Sequence, residues 1–159
     1  MSRRRGFLPV DDHPETTRSL DAANAGRALL PRAVRRWAVT VSVTTDRDAY
    51  AAGDPVRFRV RFRNRLPVPL SIRTATPVPW TWSIDGLGRA SRVPGDSLPE
   101  TPGTLRLARR ETTTVARTWF QRIRVADDEW VAADPGDHTL RVSVPGTDLA
   151  AETTVRIER

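Results

Sequence analysis

The chain has 159 residues, 38% of them hydrophobic, a length that suits one domain with a modest extension. Its 26 basic residues are all arginine against 19 acidic ones, giving a net charge of +7. GC-rich coding explains arginine in place of lysine, but the excess positive charge favours an anionic partner. The chain has no cysteine, which excludes disulfides, thiolate nucleophiles and cysteine metal sites. No segment resembles a signal peptide or reaches transmembrane length, so we expect a cytoplasmic protein without membrane insertion.

The first 35 residues differ in character from the rest of the chain. They are polar and rich in arginine, and they show no strand alternation. Helical spacing of small and apolar residues predicts a short helix over 17–30, which Pro31 would stop. We therefore predict a basic N-terminal arm, 1–35, irregular apart from this helix, before a folded domain, 36–159. The arm is either a flexible tail or part of an anion-binding surface, with candidate residues Arg3, Arg4 and Arg5.

The folded domain shows apolar and polar residues in alternation, which is typical of strands with one buried face. Seven segments have this pattern: 37–44, 56–64, 70–74, 80–84, 112–120, 138–144 and 153–158. Turn and loop signals separate them, including a hairpin turn at 85–88, an irregular loop at 94–104 and an acidic loop at 127–137. Seven or eight short strands without a long helical period predict an all-β fold, an immunoglobulin-like antiparallel β-sandwich.

The second of these strands alternates apolar residues with arginines along its whole length. At strand rise, successive arginines on one face are about 7 Å apart. This spacing could follow the phosphates of a single-stranded RNA or DNA. Alternatively, the guanidinium groups form a solvated face and pair with acids on neighbouring strands. We call these candidate anion-binding or partner-binding residues the arginine row: Arg57, Arg59, Arg61, Arg63 and Arg65.

Aromatic and acidic residues provide further candidates. Trp130 falls in the acidic loop and is the best candidate for an aromatic that contacts a partner. The strand patterns predict that Trp37, Trp80, Trp82 and Trp119 pack in or beside the core. Carboxylates of the acidic loop could bind calcium, but their spacing is not that of an EF-hand, so a solvated loop or an internal partner for arginine is preferred. No metal or cofactor site is expected.

Residues able to carry out catalysis are few. His13 and His138 are far apart in the sequence, and no nucleophile motif surrounds any serine. Gly86 and Gly88 lack the third glycine and the strand-helix context of a dinucleotide-binding loop. We predict that the protein is not an enzyme and that His138 is structural.

Several short motifs resemble those of the intracellular proteinase-inhibitor (BsuPI-type) domain. The resemblance covers about residues 37–157, although Ala108-Arg109-Arg110 stands where that family usually has Pro-Gly and the arm has no counterpart. The motifs are Tyr50-x-x-Gly53-Asp54-x-Val56, Pro67-Val68-Pro69-Leu70, Trp82-Ser83-Ile84-Asp85-Gly86-Leu87-Gly88, Leu105-Arg106-Leu107 with Glu111 and Trp119, and Pro135-Gly136-Asp137-His138-Thr139-Leu140.

This resemblance implies an intracellular, non-enzymatic sandwich. The family includes many domains of unknown role, and no reactive loop carries over residue by residue. We therefore expect a non-catalytic intracellular binding module with a protein partner. The alternative is an RNA- or ribosome-associated protein held by the arm and the arginine row.

Overall fold

The computed structural model describes residues 37–87, 99–126 and 128–159, so the predicted arm and its helix lie outside the described residues. The described part of the chain is all-β, which confirms this part of the predicted fold class. Its strands are β1 Val39–Thr45, β2 Ala49–Ala51, β3 Val56–Asn64, β4 Leu70–Thr74, β5 Thr81–Ile84, β6 Gly103–Leu107, β7 Thr112–Trp119, β8 Arg122–Arg124, β9 Trp130–Ala132, β10 Gly136–Ser143 and β11 Ala150–Glu158.

The strands form two main sheets and two small ribbons. The first sheet has the order β1-β3-β7 and is antiparallel. The second has the order β2-β11-β10-β5, and it is antiparallel except that β2 runs parallel to β11. The ribbons are β4-β6 and β8-β9, both antiparallel. The chain passes from the first sheet to the second between β1 and β2, so both sheets include residues from the start of the domain.

One hydrophobic core joins the buried sides of the sheets. The valines and phenylalanines of β3 are buried, as the alternation predicted, and they belong to one cluster with residues of β5, β10 and β11. The rings of Phe58 in β3 and Trp82 in β5 lie 5.1 Å apart in an edge-to-face arrangement. Phe62 contacts Trp80 at 5.9 Å. These contacts fix the first sheet against the second and leave the other side of β3 facing outward.

A bend interrupts the ladder between β3 and β7. In the chain, β4 follows β3 and β6 precedes β7. The β4-β6 ribbon therefore continues the pairing of these two segments beyond the bend. Asn64 organises the bend: its fully buried amide nitrogen donates to the carbonyls of Val68 and Ala108, each at 2.8 Å. Its amide oxygen accepts from the backbone nitrogen of Leu66 at 2.9 Å. Asn64 therefore satisfies two backbone groups that the interrupted ladder leaves unpaired, on Leu66 and Val68, and adds a bond to the Ala108 carbonyl, which also accepts from the backbone nitrogen of Glu111 at 3.1 Å.

The strand boundaries correct several predictions. Trp37 was assigned to the first strand and to the core, but it is in helical conformation before β1 and is 61% exposed. The partner strand of β1 is β3, which ends at Asn64 opposite Val39, so the ladder does not reach Trp37. The described residues form eleven strands rather than seven or eight. The extra strands are β2, β6, β8 and β9: β6 begins in the predicted loop 94–104 and extends beyond it, and β9 lies within the predicted acidic loop. β2, β8 and β9 have three residues each, too short to show an alternation.

Candidate anion-binding surface

The arginine row lies on the outer face of the first sheet. β3 is the central strand of this sheet, and Arg57, Arg59, Arg61 and Arg63 are exposed while the residues between them are buried. The predicted alternation is thus confirmed. Arg65 is also exposed, but it lies one residue beyond the end of β3. The strand therefore presents four arginines, and Arg65 adjoins them at the bend.

The residues beside the row are short and neutral. The partners of these arginines on the flanking strands are Thr40, Ser42 and Thr44 on β1 and Thr112, Thr114, Ala116 and Thr118 on β7. In adjacent strands, directly paired residues project to the same side of the sheet, so these side chains share the outer face with the row. No cross-strand acid faces the strand arginines in either ladder. The pairing with acids on neighbouring strands, which the sequence left open, is therefore not found on β1 or β7.

An acid lies beside each end of the row: Asp46 bonds the backbone of Arg57, and Glu111 bonds the backbone of Asn64. Among the described residues, the guanidinium groups of Arg59, Arg61 and Arg63 form no ion pair or hydrogen bond. Asp46 follows β1, and its backbone nitrogen bonds the carbonyl of Arg57 at 3.1 Å. The Asp46 carboxylate accepts from the Tyr50 hydroxyl, and this bond is the main cause that lowers the pKa of Asp46, with smaller contributions from the charges of Arg47 and Arg57. Most of the row thus keeps a positive charge that the described residues do not neutralise.

Trp130 does not share a sheet with the row. The predicted acidic loop contains β9, and Trp130 begins this strand opposite Arg124 of β8. Trp130 is 39% exposed, consistent with the predicted exposure but in a separate ribbon. Phe120, directly after β7, is a further exposed aromatic that was not among the predicted contact residues; its place in the alternation with Thr118 was the available signal. Arg3, Arg4 and Arg5 lie outside the described residues.

His138 forms a polar cluster at the start of β10. Its Nδ1 lies 2.6 Å from Oδ2 of Asp85, and its Nε2 lies 2.7 Å from the carbonyl oxygen of Asp134. Burial lowers the pKa of His138, but these two acceptors outweigh it and hold the pKa above the usual value for histidine. Asp85 is held in turn by the backbone nitrogen of Thr139 at 2.8 Å. Since both ring nitrogens are occupied, the cluster leaves neither free for a substrate proton.

The turn that carries Asp85 is the predicted hairpin turn. Asp85 and Gly86 both have positive φ, 50° and 78°, and the backbone nitrogen of Leu87 bonds the carbonyl of Ile84 at 2.8 Å. This is the conformation of a type I′ turn, which Asp-Gly favours. The turn thereby places a carboxylate against His138, a pairing that the sequence alone did not indicate.

Within 37–87, 99–126 and 128–159, no three acidic or histidine side chains are grouped so as to hold a metal ion. The same ranges contain no helix long and apolar enough to cross a membrane.

Several solved structures are similar to this chain at low identity. The CARDB domain of the PF1109 protein from Pyrococcus furiosus, in complex with di-metal ions, is 13% identical with a TM-score of 0.44, covering 76% of this chain and 87% of that domain. A β-glucosidase from Listeria innocua is 13% identical with a TM-score of 0.47, over 75% of this chain and 16% of that enzyme. The alkylpurine DNA glycosylase AlkC of Pseudomonas fluorescens is 14% identical with a TM-score of 0.43, over 77% and 31%.

Sequence relationships are more specific than these structural ones. No curated protein matches the chain. One family model matches residues 27–158, which include every strand described above. The match extends over most of the chain and contains the whole arginine row. The chain therefore belongs to DUF7974, a family of unknown function.

Proposed function

We propose that this chain is a non-catalytic binding module that holds an anionic partner on the outer face of the β1-β3-β7 sheet. The observation that carries the proposal is the set of arginines on β3 whose cross-strand neighbours are threonine, serine and alanine. Like charges along one strand repel, so a face of this kind gains stability when a ligand supplies the opposite charge. The partner that we favour is an acidic protein.

The chemistry of this face suits a carboxylate or phosphate ligand. Arginine is planar, stays charged and can donate two parallel hydrogen bonds to one carboxylate. The flanking hydroxyls of Ser42 and Thr114 add donors at the level of Arg61. Because the row is exposed, association would be steered by charge and would weaken as salt rises.

The strand arrangement supports a finer view of the fold, an immunoglobulin-like β-sandwich. Three strands in one sheet and four in the other, a shared core, and a chain that changes sheets near its start are features of such sandwiches. The motifs that resemble the intracellular proteinase-inhibitor domain support the same architecture, a cytoplasmic location and a protein partner. A panel of serine proteases assayed with the purified protein tests inhibition directly, and unchanged activity of every protease would remove that part of the proposal.

The central test compares two variants with equal loss of charge. The first changes Arg59, Arg61 and Arg63 to Ser; the second changes Arg73, Arg106 and Arg159 to Ser, three exposed arginines outside the first sheet. Each protein is used to capture partners from native cytosol with and without nuclease, followed by mass spectrometry. We expect specific partners to be lost with the first variant and kept with the second. Equal capture by both variants would overturn the proposal.

A second candidate function is association with single-stranded RNA. The observation that favours it is the spacing of the exposed arginines, about 7 Å at strand rise, close to the phosphate repeat of an extended strand. A fluorescent RNA of mixed sequence tests it by anisotropy over a range of salt concentrations. RNA binding predicts a steep linear fall of log affinity with log salt and a loss in the first variant only. Nuclease-sensitive capture would favour this candidate over an acidic protein.

A further inference from the structure

β7 is an edge strand next to the arginine row. Its one ladder is with β3, and no described strand pairs with its other side, where the carbonyl of Ala116 accepts from the guanidinium of Arg117 at 2.8 Å, an exposed bond that an added strand would replace. The strand has eight residues and contains neither proline nor glycine. Unpaired edges of this kind are sites where another extended chain can add by backbone hydrogen bonds.

The register shows which backbone groups point to the open side. The backbone nitrogen of Asn64 donates to the carbonyl of Glu111 at 2.9 Å, so this pair is a hydrogen-bonded pair of the β3-β7 ladder. Such pairs recur at every second residue in an antiparallel ladder. The backbone groups of the intervening β7 residues therefore face away from β3; these residues are Thr112, Thr114, Ala116 and Thr118.

The same four residues carry their side chains on the arginine face, and all four are small. Strands in a sheet lie about 4.8 Å apart, so an added strand would be roughly 10 Å from β3. A glutamate side chain on the added strand can extend over the small side chains of Thr114 and Ala116, and its carboxylate can then contact the guanidinium group of Arg59 or Arg61. The opposite side of an added strand would adjoin the half-buried Thr113 and Val115, which suits small apolar residues.

We propose that the partner adds an extended segment as a strand to the free edge of β7, with acidic side chains at alternate positions facing the arginine row. The inference deepens the proposed function and rests on it. A polypeptide fits this edge better than RNA, because the open side of β7 offers alternating donors and acceptors. A phosphate backbone has only acceptors and would be repelled by the carbonyls.

The first experiment uses synthetic eight-residue peptides and the unchanged protein. The probe alternates glutamate and valine, and its isomer has the same composition with four glutamates followed by four valines. Two further probes carry N-methyl groups on alternate residues, one set on the glutamates and the other on the valines. N-methylation removes the hydrogen bond of a residue that faces β7 but not of one that faces solvent. Binding is measured by fluorescence anisotropy.

We expect the alternating peptide to bind at least ten-fold more tightly than its isomer. One N-methylated set should lose at least ten-fold in affinity, and the other should bind nearly as the parent does. If all four peptides bind equally but require Arg59, Arg61 and Arg63, strand addition is overturned and the anion-binding face stands. If none binds while RNA does, the partner class proposed here is wrong. If no anion binds, the proposed function fails as well.

A second experiment changes the edge itself. Ala116→Pro removes a backbone donor from the open side, and proline is tolerated on edge strands where the N–H faces solvent. We expect at least a ten-fold loss of affinity for the alternating peptide, while Ala116→Ser, which keeps the donor, binds as the parent does. Circular dichroism and the urea midpoint check that both variants fold. Equal binding by two folded variants would overturn the proposal.

Discussion

Arginine is exposed on both main sheets of this protein, but its surroundings differ. On the β10-β11 ladder, Arg141 stands opposite Glu152 and Arg156 opposite Asp137, and both are ion pairs. On β3, the residues opposite the arginines are neutral. The chain therefore does place acids across from arginine in one ladder and not in the other. The difference separates arginines whose charge is already neutralised within the fold from arginines whose charge remains available to a ligand.

The second sheet has another charge pair close to its edge. His138 of β10 bonds Asp85, which follows β5, and the ring of Trp119 packs against the imidazole with centroids 5.7 Å apart. The charged groups in this region thus contribute to the stability of the folded state. On the first sheet, repulsion between the arginines along β3 instead raises the energy of the folded state. Four changes to the protein would break or sharpen this contrast.

The largest effect is expected from Asn64→Ala, which removes the support of the bend at the end of the row. Three hydrogen bonds of a buried amide are lost; the Val68 carbonyl and the Leu66 nitrogen lose their partner, whereas the Ala108 carbonyl keeps its bond from Glu111. At about 1 kcal/mol for each bond, we expect a loss of about 2–4 kcal/mol in the free energy of unfolding. Equilibrium urea unfolding measures it, with exposed Ser71→Ala as the control. A loss below about 1 kcal/mol would contradict the role given to Asn64.

The next effect concerns pH and belongs to the second sheet. The folded-state pKa of His138 lies above its ordinary value of 6.5. Its stabilisation is therefore fully present below about pH 6.5 and is lost as pH rises through the folded-state pKa. Each pKa unit of difference between the folded and unfolded states corresponds to about 1.4 kcal/mol. Urea midpoints between pH 5 and 9 should fall across this window in the parent.

The matched variant His138→Gln keeps a polar side chain without a titrating group. Its urea midpoint should show no fall over the same pH window. If the variant and the parent have the same pH profile, the pairing of His138 with Asp85 does not contribute to stability in the way described.

An exchange of neighbours between the two sheets should produce a smaller effect. Thr114→Glu places a carboxylate opposite Arg61, as Glu152 stands opposite Arg141. A cross-strand pair of opposite charges contributes about 0.2–1 kcal/mol, so the variant should be more stable by this amount. It should also bind anionic partners less tightly, because the row is partly neutralised. Thr114→Gln is the control for side-chain size, and equal stability of the two would count against a charge effect.

The smallest effect on stability is expected from the variant with Arg59, Arg61 and Arg63 changed to Ser. Because these side chains make no ion pair within the described residues, their loss should change the free energy of unfolding by less than about 0.5 kcal/mol. Relief of repulsion should make any change stabilising. Thermal and urea unfolding measure it. Clear destabilisation would mean that the row supports the fold rather than a partner.

The sequence predicted β3 with both ends correct, because its alternation extends over nine residues with a strong contrast between buried and exposed positions. It did not predict the neutral surroundings of the row. Those depend on which strands flank β3 and in which register, and the pairing with β7 brings together residues far apart in the sequence, such as Arg61 and Thr114, which are 53 positions apart. For the same reason, the sequence did not predict that β7 is an edge strand.

Other differences have local causes. Trp37 continues the apolar alternation of β1, and the sequence gives no sign that its partner strand has already ended. β9 lies within an acidic segment whose composition indicated a loop, and its three residues form a ladder only because β8 lies beside them. The carboxylate partner of His138 follows a turn 53 positions earlier in the chain, so the sequence alone did not place the two side chains together.

The bend at Asn64 also limits the length of the straight strand that carries the arginine row. From Arg57 to Arg63 the chain rises about 20 Å at strand geometry, and beyond this the backbone turns away from a straight path. A ligand lying along the sheet thus meets a footprint of fixed size, comparable to six or seven residues of extended polypeptide. Relatives that shift this asparagine along the strand would be expected to recognise shorter or longer segments with the same chemistry.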